Sequence, residues 1–281
     1  MSGRAGAAAP LMLLLVLLVL LHSVFSGISR ELAPNLARDI PFRDHVDLAL
    51  DELDRRGPRA GPQSGVIEVR ADGQSIPART IIDWLGENAR RSAFFTFGLP
   101  GNPELTASAS GTDRRHRIVN AYLVGYAPFR ADNAWVPMQV ISQRKRYQYD
   151  HLQYPGRMEV WQSSEQAFAA PRGDCEDHAL LLADWLIESG YEARVAVGTA
   201  RGEGHAWVVL FADGEQFVLE ATQKQWPGGR VHYPLARLMG DYRPRFQFDR
   251  EGFWRNNGSD RTTDYASEHW ELKSRYRPGA A

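Results

Sequence analysis

The stretch from His205 to Ala221 constrains the fold of this chain more than any other part of its sequence. Residues 205–211 are apolar on both faces, which is typical of a strand in the middle of a sheet. Asp213-Gly214 follows and is a strong signal for a two-residue hairpin turn, so residues 216–221 should return as the antiparallel partner. With that turn, the expected strand pairs are Phe211–Gln216, Val209–Val218 and Trp207–Glu220.

This register places a histidine beside a carboxylate. His205 lies two residues beyond Trp207 on the same face, which makes it a diagonal neighbour of Glu220 within reach of long side chains. A slip of one residue would turn the two side chains to opposite faces of the sheet. A carboxylate in that position can hold one tautomer of the imidazole, while the other ring nitrogen accepts a proton from a thiol.

Cys175 is the only cysteine in the chain and stands at the expected start of a helix. Asp174 is a suitable N-cap, and Asp177 three residues later completes an acidic variant of the capping box. Apolar residues follow at helical spacing, and Gly190 ends the helix. Backbone N–H groups and the helix dipole at this end favour a thiolate, whereas the flanking carboxylates, Glu176 included, oppose it.

Cysteine, histidine and carboxylate together are the parts of a nucleophile–base–orienter site. We therefore expect Cys175 to be the nucleophile, His205 the base and Glu220 the residue that orients His205. The alternative is a buried, inert cysteine. His178 lies one helical turn from Cys175. A base also needs an orienting group and room for substrate, so we expect His178 to be structural.

The composition limits the classes of protein that remain. The 281 residues are 43% hydrophobic and 24% charged, which is enough apolar material for a substantial core. The formal net charge of −1 gives no argument for nucleic acid as a partner. A single cysteine excludes an internal disulfide and any cysteine-rich zinc site.

The N-terminus carries an apolar segment. Arg4 precedes residues 5–25, which as a helix would be about 30 Å long, close to the thickness of a membrane's hydrocarbon core. We expect either a retained membrane anchor or a cleaved signal peptide over residues 1–27. Both place the rest of the chain outside the cytoplasm, where a solitary cysteine favours a working thiol.

The remainder divides into two expected regions. Residues 28–125 form an N-terminal α/β region of unknown role, and residues 126–281 form the domain that carries Cys175, with an aromatic C-terminal tail. The tail is expected to wrap the core, or else to form a wall of the substrate groove. We expect Arg144-Lys145-Arg146 on a solvated face. The pattern of the first region predicts a helix over 43–56, a strand over 66–70, a helix over 75–91, a loop over 99–114 and a strand-like segment over 117–129.

Three short motifs carry a family resemblance. They are Gly173-Asp174-Cys175-Glu176-Asp177, Gly204-His205-Ala206-Trp207 and Val218-Leu219-Glu220-Ala221-Thr222, preceded by Trp161 and Glu165. In this order they resemble the transglutaminase-like superfamily of papain-type cysteine hydrolases, most closely the bacterial transglutaminase-like cysteine peptidases. The resemblance covers about residues 147–225. It implies an α+β fold, with the nucleophile at a helix N-terminus packed on an antiparallel sheet.

The resemblance also assigns roles to single residues. Nucleophile, base and orienting acid carry over to Cys175, His205 and Glu220, although the family usually has Asp in the third position. The backbone N–H of Cys175 is the expected first oxyanion donor, with the Trp161 indole or the Gln162 amide as the second. No cofactor is required. The acidic side chains next to the cysteine could instead bind calcium, as in some relatives, although capping and packing are the favoured roles of Asp174, Glu176 and Asp177.

The expected function is that of a thiol hydrolase or acyltransferase on peptide or isopeptide bonds. Hydrolysis is favoured, and an amine acceptor would make the enzyme a transglutaminase. The resemblance and the N-terminal segment imply a protein attached to a membrane through residues 5–25, facing a bacterial periplasm or cell surface, or secreted. Its partner would be a protein or peptide substrate. The alternative is a non-catalytic module that binds a peptide or cell-envelope partner.

Overall fold

The computed structural model describes residues 42–86, 90–222 and 234–279, which form an α+β fold. The α-helices of these ranges are α1 (Phe42–Arg56), α2 (Ala78–Trp84), α3 (Trp135–Arg144), α4 (Asp150–Gln153), α5 (Ser164–Ala169) and α6 (Cys175–Glu188). The strands are β1 (Gly65–Val69), β2 (Ser75–Pro77), β3 (Phe94–Leu99), β4 (Asn102–Ser110), β5 (His116–Ile118), β6 (Arg146–Tyr147), β7 (Arg172–Gly173), β8 (Glu192–Ala200), β9 (Glu203–Ala212), β10 (Glu215–Leu219), β11 (Tyr242–Phe248), β12 (Gly252–Asn256) and β13 (Trp270–Pro278).

One large antiparallel sheet carries most of the strands, in the order β10-β9-β8-β11-β12-β13-β1-β2. Helix α6 packs on β8 and β9 near one edge of this sheet. Every residue from Glu176 to Leu186 is buried, because the helix is covered on the remaining sides by α3 and α5. The start of α6, at Cys175, is partly accessible.

The hairpin predicted from the sequence is confirmed. β9 and β10 pair with Phe211 opposite Gln216 and Val209 opposite Val218. Asp213 and Gly214 have φ angles of 53° and 75°, the left-handed values that both central residues of a type I′ turn require. The ladder ends at Leu219, so the next residue along the chain leaves the sheet edge.

Three predictions for the N-terminal region are wrong. Residues 117–129 are not strand-like throughout, because β5 ends at Ile118 and Val119–Tyr122 form a 3-10 helix. Residues 99–114 are not a loop: β4 runs through them as the middle strand of a three-stranded sheet with β3 and β5. Its small side chains are buried against the main sheet, where Ser274 Oγ donates to the Leu105 carbonyl at 2.8 Å. Residues 75–91 are not one helix, because the chain forms β2 before α2 begins at Ala78.

The aromatic C-terminal segment is not a tail around the core. It supplies β11, β12 and β13, three adjacent strands of the main sheet. β13 in turn pairs with β1, with Ile67 opposite Tyr276, and so joins the first strand of the described chain to the last. Pairing between strands distant in sequence therefore determines the structure at both ends of the described sheet.

The membrane part of the expected fold class is corrected. In residues 42–86, 90–222 and 234–279, no helix has the length and apolar character needed to cross a membrane. The predicted anchor or signal segment over residues 1–27 lies outside the described residues. The fold that the structure supports is an α+β fold with a large antiparallel sheet.

Candidate active site

The cysteine begins α6 directly after the short strand β7. Asp174 holds the N-cap position in extended conformation, but its side chain does not cap the helix. Its Oδ2 accepts the backbone N–H of Asp150 at 3.3 Å, and Asp177 Oδ1 accepts the backbone N–H of Gln162 at 2.8 Å. The predicted capping box is therefore wrong, because both carboxylates bind neighbouring segments of chain. The first-turn N–H of Cys175 has no acceptor within the helix.

Close packing requires a glycine at position 173, directly before Asp174. A Cβ at this position would collide with Asp177 Oδ2 and with Lys145 Cε. Only glycine lets the strand that precedes the nucleophile lie so close to these two side chains.

The histidine and the third residue meet at the end of the hairpin. His205 Nε2 lies 2.6 Å from Glu220 Oε2. Glu220 Oε1 accepts the backbone N–H of Thr222 at 3.2 Å as well as the Thr222 hydroxyl, and the Tyr242 hydroxyl donates to Oε2 at 3.2 Å. Burial raises the pKa of Glu220, but the hydrogen bonds and charge of His205 and the donors on Thr222 outweigh burial and hold that pKa below its usual value.

His205 joins this carboxylate to the cysteine. Burial lowers the pKa of His205, whereas hydrogen bonds with Cys175 and Glu220 and their negative charges raise it, with a net pKa of about 10. Because Nε2 faces Glu220, Nδ1 is the ring nitrogen left for the thiol. The imidazole stacks near Trp207, with ring centroids 6.1 Å apart. The site therefore favours an imidazolium beside Cys175, the partner that stabilises a thiolate.

Buried acid surrounds the sulfur on its other side. The Cys175 thiol donates to Glu176 Oε2 at 3.4 Å, and Glu176 is only 5% exposed. Burial, followed by the charges of Cys175 and Asp174, raises the pKa of Glu176 well above its usual range. The raised pKa favours the protonated form of the Glu176 carboxyl. A protonated carboxyl can reverse this hydrogen bond and donate to a thiolate.

Three of these carboxyls could hold a cation. Asp150, Asp174 and Glu176 each offer an oxygen within 4.8 Å of the others, and each is at least nine-tenths buried. One carboxyl oxygen of each lacks a hydrogen-bond partner among the described residues. Burial, and then the charge of Asp174, raises the pKa of Asp150 to about 8. An all-oxygen, acidic set fits calcium, with Asp150 in the place expected for Asp177.

The two side chains expected as oxyanion donors are engaged elsewhere. Trp161 Nε1 donates to Glu159 Oε1 at 2.7 Å. Gln162 Nε2 donates to the Tyr154 hydroxyl and to the Arg172 carbonyl, both at 3.1 Å, which uses both of its N–H groups. The geometry thus offers the backbone N–H of Cys175 and leaves both side chains bound to protein acceptors.

Lys145 is not on a solvated face, so that prediction is wrong. The side chain is 2% exposed and runs beneath the strand that leads to the nucleophile. Its Nζ donates to four oxygens at 2.8–3.3 Å: Gln162 Oε1 and the carbonyl oxygens of Ala167, Ala170 and Arg172. A buried ammonium with this many acceptors fixes the backbone on both sides of the site.

His178 has the structural position that its sequence context predicted. It is 1% exposed, and its Nδ1 hydrogen-bonds to the Asp174 carbonyl at 2.6 Å. The contact is made one turn back along its own helix, away from the pair formed by His205 and Glu220.

Sequence reasoning missed three contributors to the site. The contact of Thr222 with Glu220 could have been predicted from the sequence, because a carboxylate that accepts the backbone N–H two residues further on is a recurrent local motif. Tyr242 gave no such signal, because the strand that brings it to Glu220 is set by pairing with β8. Asp150 likewise reaches the cluster only through the fold.

Comparison with known proteins finds a peptidase-like domain. Residues 159–274, less than half of the chain, match a family model described as the CEP76 peptidase-like domain. Centrosomal proteins of 76 kDa from Mus musculus and Homo sapiens are each 47% identical over 55 residues, which cover 19% of this chain and 8% of theirs. The Xenopus laevis protein is 43% identical over 61 residues, 21% of this chain and 9% of its own. The chain thus aligns with under a tenth of these relatives.

A solved structure described as a "Putative Cysteine Protease from Cytophaga hutchinsonii" is also similar in part. It is 17% identical and covers 36% of this chain and 34% of its own, with a TM-score of 0.28. A TM-score this low does not define a shared fold.

The expected localisation is wrong. The curated relatives are centrosomal proteins, and the part of the chain that the structure describes contains no helix able to cross a membrane. The centrosomal names of these relatives point away from a membrane-anchored protein of the periplasm.

Proposed function

We propose that this chain is a cysteine peptidase that cleaves peptide or isopeptide amide bonds through Cys175, His205 and Glu220. One observation carries the proposal: His205 hydrogen-bonds through Nε2 to Glu220 at 2.6 Å, and although burial lowers the pKa of His205, Cys175 and Glu220 together raise it to about 10. A thiol, an imidazole and a carboxylate linked in that order form a nucleophile–base–orienter site.

The reaction begins when Nδ1 of His205 takes the proton of the Cys175 thiol. The Cys175 thiolate attacks the carbonyl carbon of the substrate amide, and the backbone N–H of Cys175 donates to the oxygen that becomes negative. His205 then gives its Nδ1 proton to the leaving amine, and the C–N bond breaks to leave an acyl-enzyme. Water attacks the thioester while His205 takes its proton back, which releases the acid and regenerates the pair. An amine in place of water would give transfer rather than hydrolysis.

Glu220 acts by fixing the histidine. The donors of Thr222 and Tyr242 hold its carboxylate in place, which compensates for a side chain one methylene longer than the Asp usual in the resembling family. With Nε2 of His205 held against Glu220, the other nitrogen points to the sulfur.

A cation bound to the acidic cluster would change the charge around Cys175. Asp150, Asp174 and Glu176 would be the ligands of a calcium ion. Bound there, the ion would supply positive charge beside Cys175 and favour the thiolate.

The proposal is tested with the full chain and a peptide acyl probe that forms a covalent adduct with nucleophilic thiols. We expect wild type to be labelled at Cys175 and to hydrolyse susceptible peptides, and Cys175→Ala to do neither. Cys175→Ser controls for local structure, because it preserves the volume of the side chain. Normal turnover by Cys175→Ala would contradict the proposal.

A second candidate is a peptide-binding module without catalysis. Two observations favour it: the carboxyls around the sulfur oppose a thiolate, and the curated relatives are centrosomal proteins. Equal peptide affinity for wild type and Cys175→Ala, with no covalent adduct in either, would support the module.

A further inference from the structure

Exposed hydrophobic side chains gather in the segment that leads to the nucleophile. Large apolar side chains that remain exposed are few in the described ranges, and four of them fall within twelve consecutive residues. These four are Tyr147, Tyr149, Leu152 and Met158, at 39, 50, 62 and 71% exposed. Single exposed hydrophobics are ordinary, but a concentration beside a reactive group indicates contact with a ligand.

Two of the four, Tyr147 and Tyr149, lie on the segment that pairs with the strand before the nucleophile. β6 pairs in parallel with β7, which sets Tyr147 opposite Gly173, two residues before Cys175. The backbone N–H of Gln148 continues this pairing with a bond of 3.0 Å to the Gly173 carbonyl. The charge of Cys175 also contributes, after burial, to a raised pKa of Tyr147. Tyr147 therefore lies next to the strand that leads to Cys175, and the ring of Tyr149 contacts that of Tyr147.

The rings are held in place before any substrate arrives. Tyr147 and Tyr149 meet edge to face, with centroids 5.2 Å apart and planes at 88°. Tyr147 stacks on His178 at 6.2 Å, and Tyr149 stacks on His151 at 5.7 Å. Ordered aromatic faces bind an apolar group with little loss of side-chain entropy.

We propose that Tyr147 and Tyr149 form a subsite for an apolar side chain of the peptide substrate, next to the bond that Cys175 attacks. This inference rests on the proposed function and names its substrate class. An acidic substrate side chain would lose its hydration against the two rings and would face the negative charge of the carboxyl cluster around Asp174. A hydrophobic side chain would bury its surface against both rings.

The test uses three acyl probes that differ only in the side chain next to the electrophile: phenylalanyl, aspartyl and lysyl. Rates of Cys175 labelling are measured by intact mass, and iodoacetamide alkylation of the same samples reports the thiol independently of the subsite. We expect the phenylalanyl probe to label wild type at least about tenfold faster than the aspartyl probe, the range typical of one apolar pocket contact.

Three variants test whether the ring of Tyr149 causes the preference for the phenylalanyl probe. Tyr149→Ala should bring the two rates close together without changing alkylation by iodoacetamide. Tyr149→Phe should keep the preference, because the ring rather than the hydroxyl makes the contact. Trp84→Ala removes an aromatic side chain of matched exposure, 59%, in a different element and should behave as wild type.

The outcomes separate the subsite from the proposed function. Equal labelling of wild type by all three probes, or a preference for the lysyl or aspartyl probe, overturns the subsite and leaves the peptidase standing. A preference that survives Tyr149→Ala overturns it as well. If no probe labels Cys175, the proposed function fails and the subsite fails with it.

Discussion

The two halves of the candidate site are built in different ways. The histidine half is a hairpin, in which β9, the turn at Asp213-Gly214 and β10 set the meeting of His205 with Glu220 through neighbouring residues. The cysteine half is assembled from distant segments, because Lys145, Gln162 and Asp177 fix the strand and helix around Cys175. Local rules therefore describe one half well and the other poorly. Substitutions in the two halves should have different effects. Those in the histidine half should change catalysis, because this half positions a proton, and those in the cysteine half should change stability, because this half contains a buried hydrogen-bond network.

The largest expected effect is on catalysis and belongs to the hairpin. Glu220→Gln keeps the size of the side chain but removes the charge that holds His205 in its imidazolium form. We expect peptide turnover to fall by about 10³- to 10⁴-fold, the scale seen when an orienting carboxylate becomes an amide. The free energy of unfolding should change far less. Steady-state kinetics beside urea unfolding check this, and turnover within a few-fold of wild type would contradict the orienting role.

A substitution in the cysteine half should instead lower the free energy of unfolding. Lys145→Met removes a buried ammonium and its hydrogen bonds to four oxygens, of which two are fully buried bonds. We expect a loss of about 3–5 kcal/mol in the free energy of unfolding, the range for breaking a buried charged network. Arg146→Met, at the exposed neighbouring residue, is the matched control and should lie within about 0.5 kcal/mol of wild type. Equal effects of the two variants in urea titrations would rule out the buried role.

A third prediction concerns pH and again belongs to the hairpin. The pKa of His205 rises from 6.5 to about 10 on folding, so its proton is held more tightly in the folded state. The stability this provides is fully present below pH 6.5 and is lost as pH rises towards 10. The difference in unfolding free energy between wild type and His205→Ala should therefore shrink across that interval. A difference that stays constant from pH 6 to pH 10 would refute the raised pKa.

The smallest expected effect concerns the donor that reaches the hairpin from β11. Tyr242→Phe removes one hydrogen bond to Glu220, worth about 0.5–1.5 kcal/mol, so turnover should fall by roughly 2- to 12-fold. Tyr276→Phe removes a comparable bond, to the Ser64 carbonyl, far along the chain from the site. It should leave turnover unchanged. Identical kinetics for both variants would show that Tyr242 does not support Glu220.

The same contrast explains how much the sequence could predict. The continuous apolar run and the turn signal at Asp213-Gly214 fix a register within seventeen residues, so they predicted the contact between His205 and Glu220. Lys145 carries no local sign of burial, since its acceptors lie between 17 and 27 residues away. Basic side chains in a run are usually solvated, and only tertiary structure reverses that expectation.

The fold shows the same limit. Residues 99–114 have the small and turn-forming side chains of a loop, yet β4 forms there because β3 and β5 pair on both sides and β13 covers it. The aromatic residues after 242 likewise become strands through partners distant in sequence. Strand formation at such positions depends more on neighbours than on intrinsic preference.

The central claim is that His205 turns Cys175 into a nucleophile. The most direct measurement is the second-order rate of iodoacetamide alkylation of Cys175 in wild type and His205→Ala at pH 6. We expect wild type to react much faster than free cysteine, because an imidazolium beside the sulfur activates a thiol as a nucleophile, and His205→Ala to be slow. Equally slow alkylation of both proteins would contradict the claim.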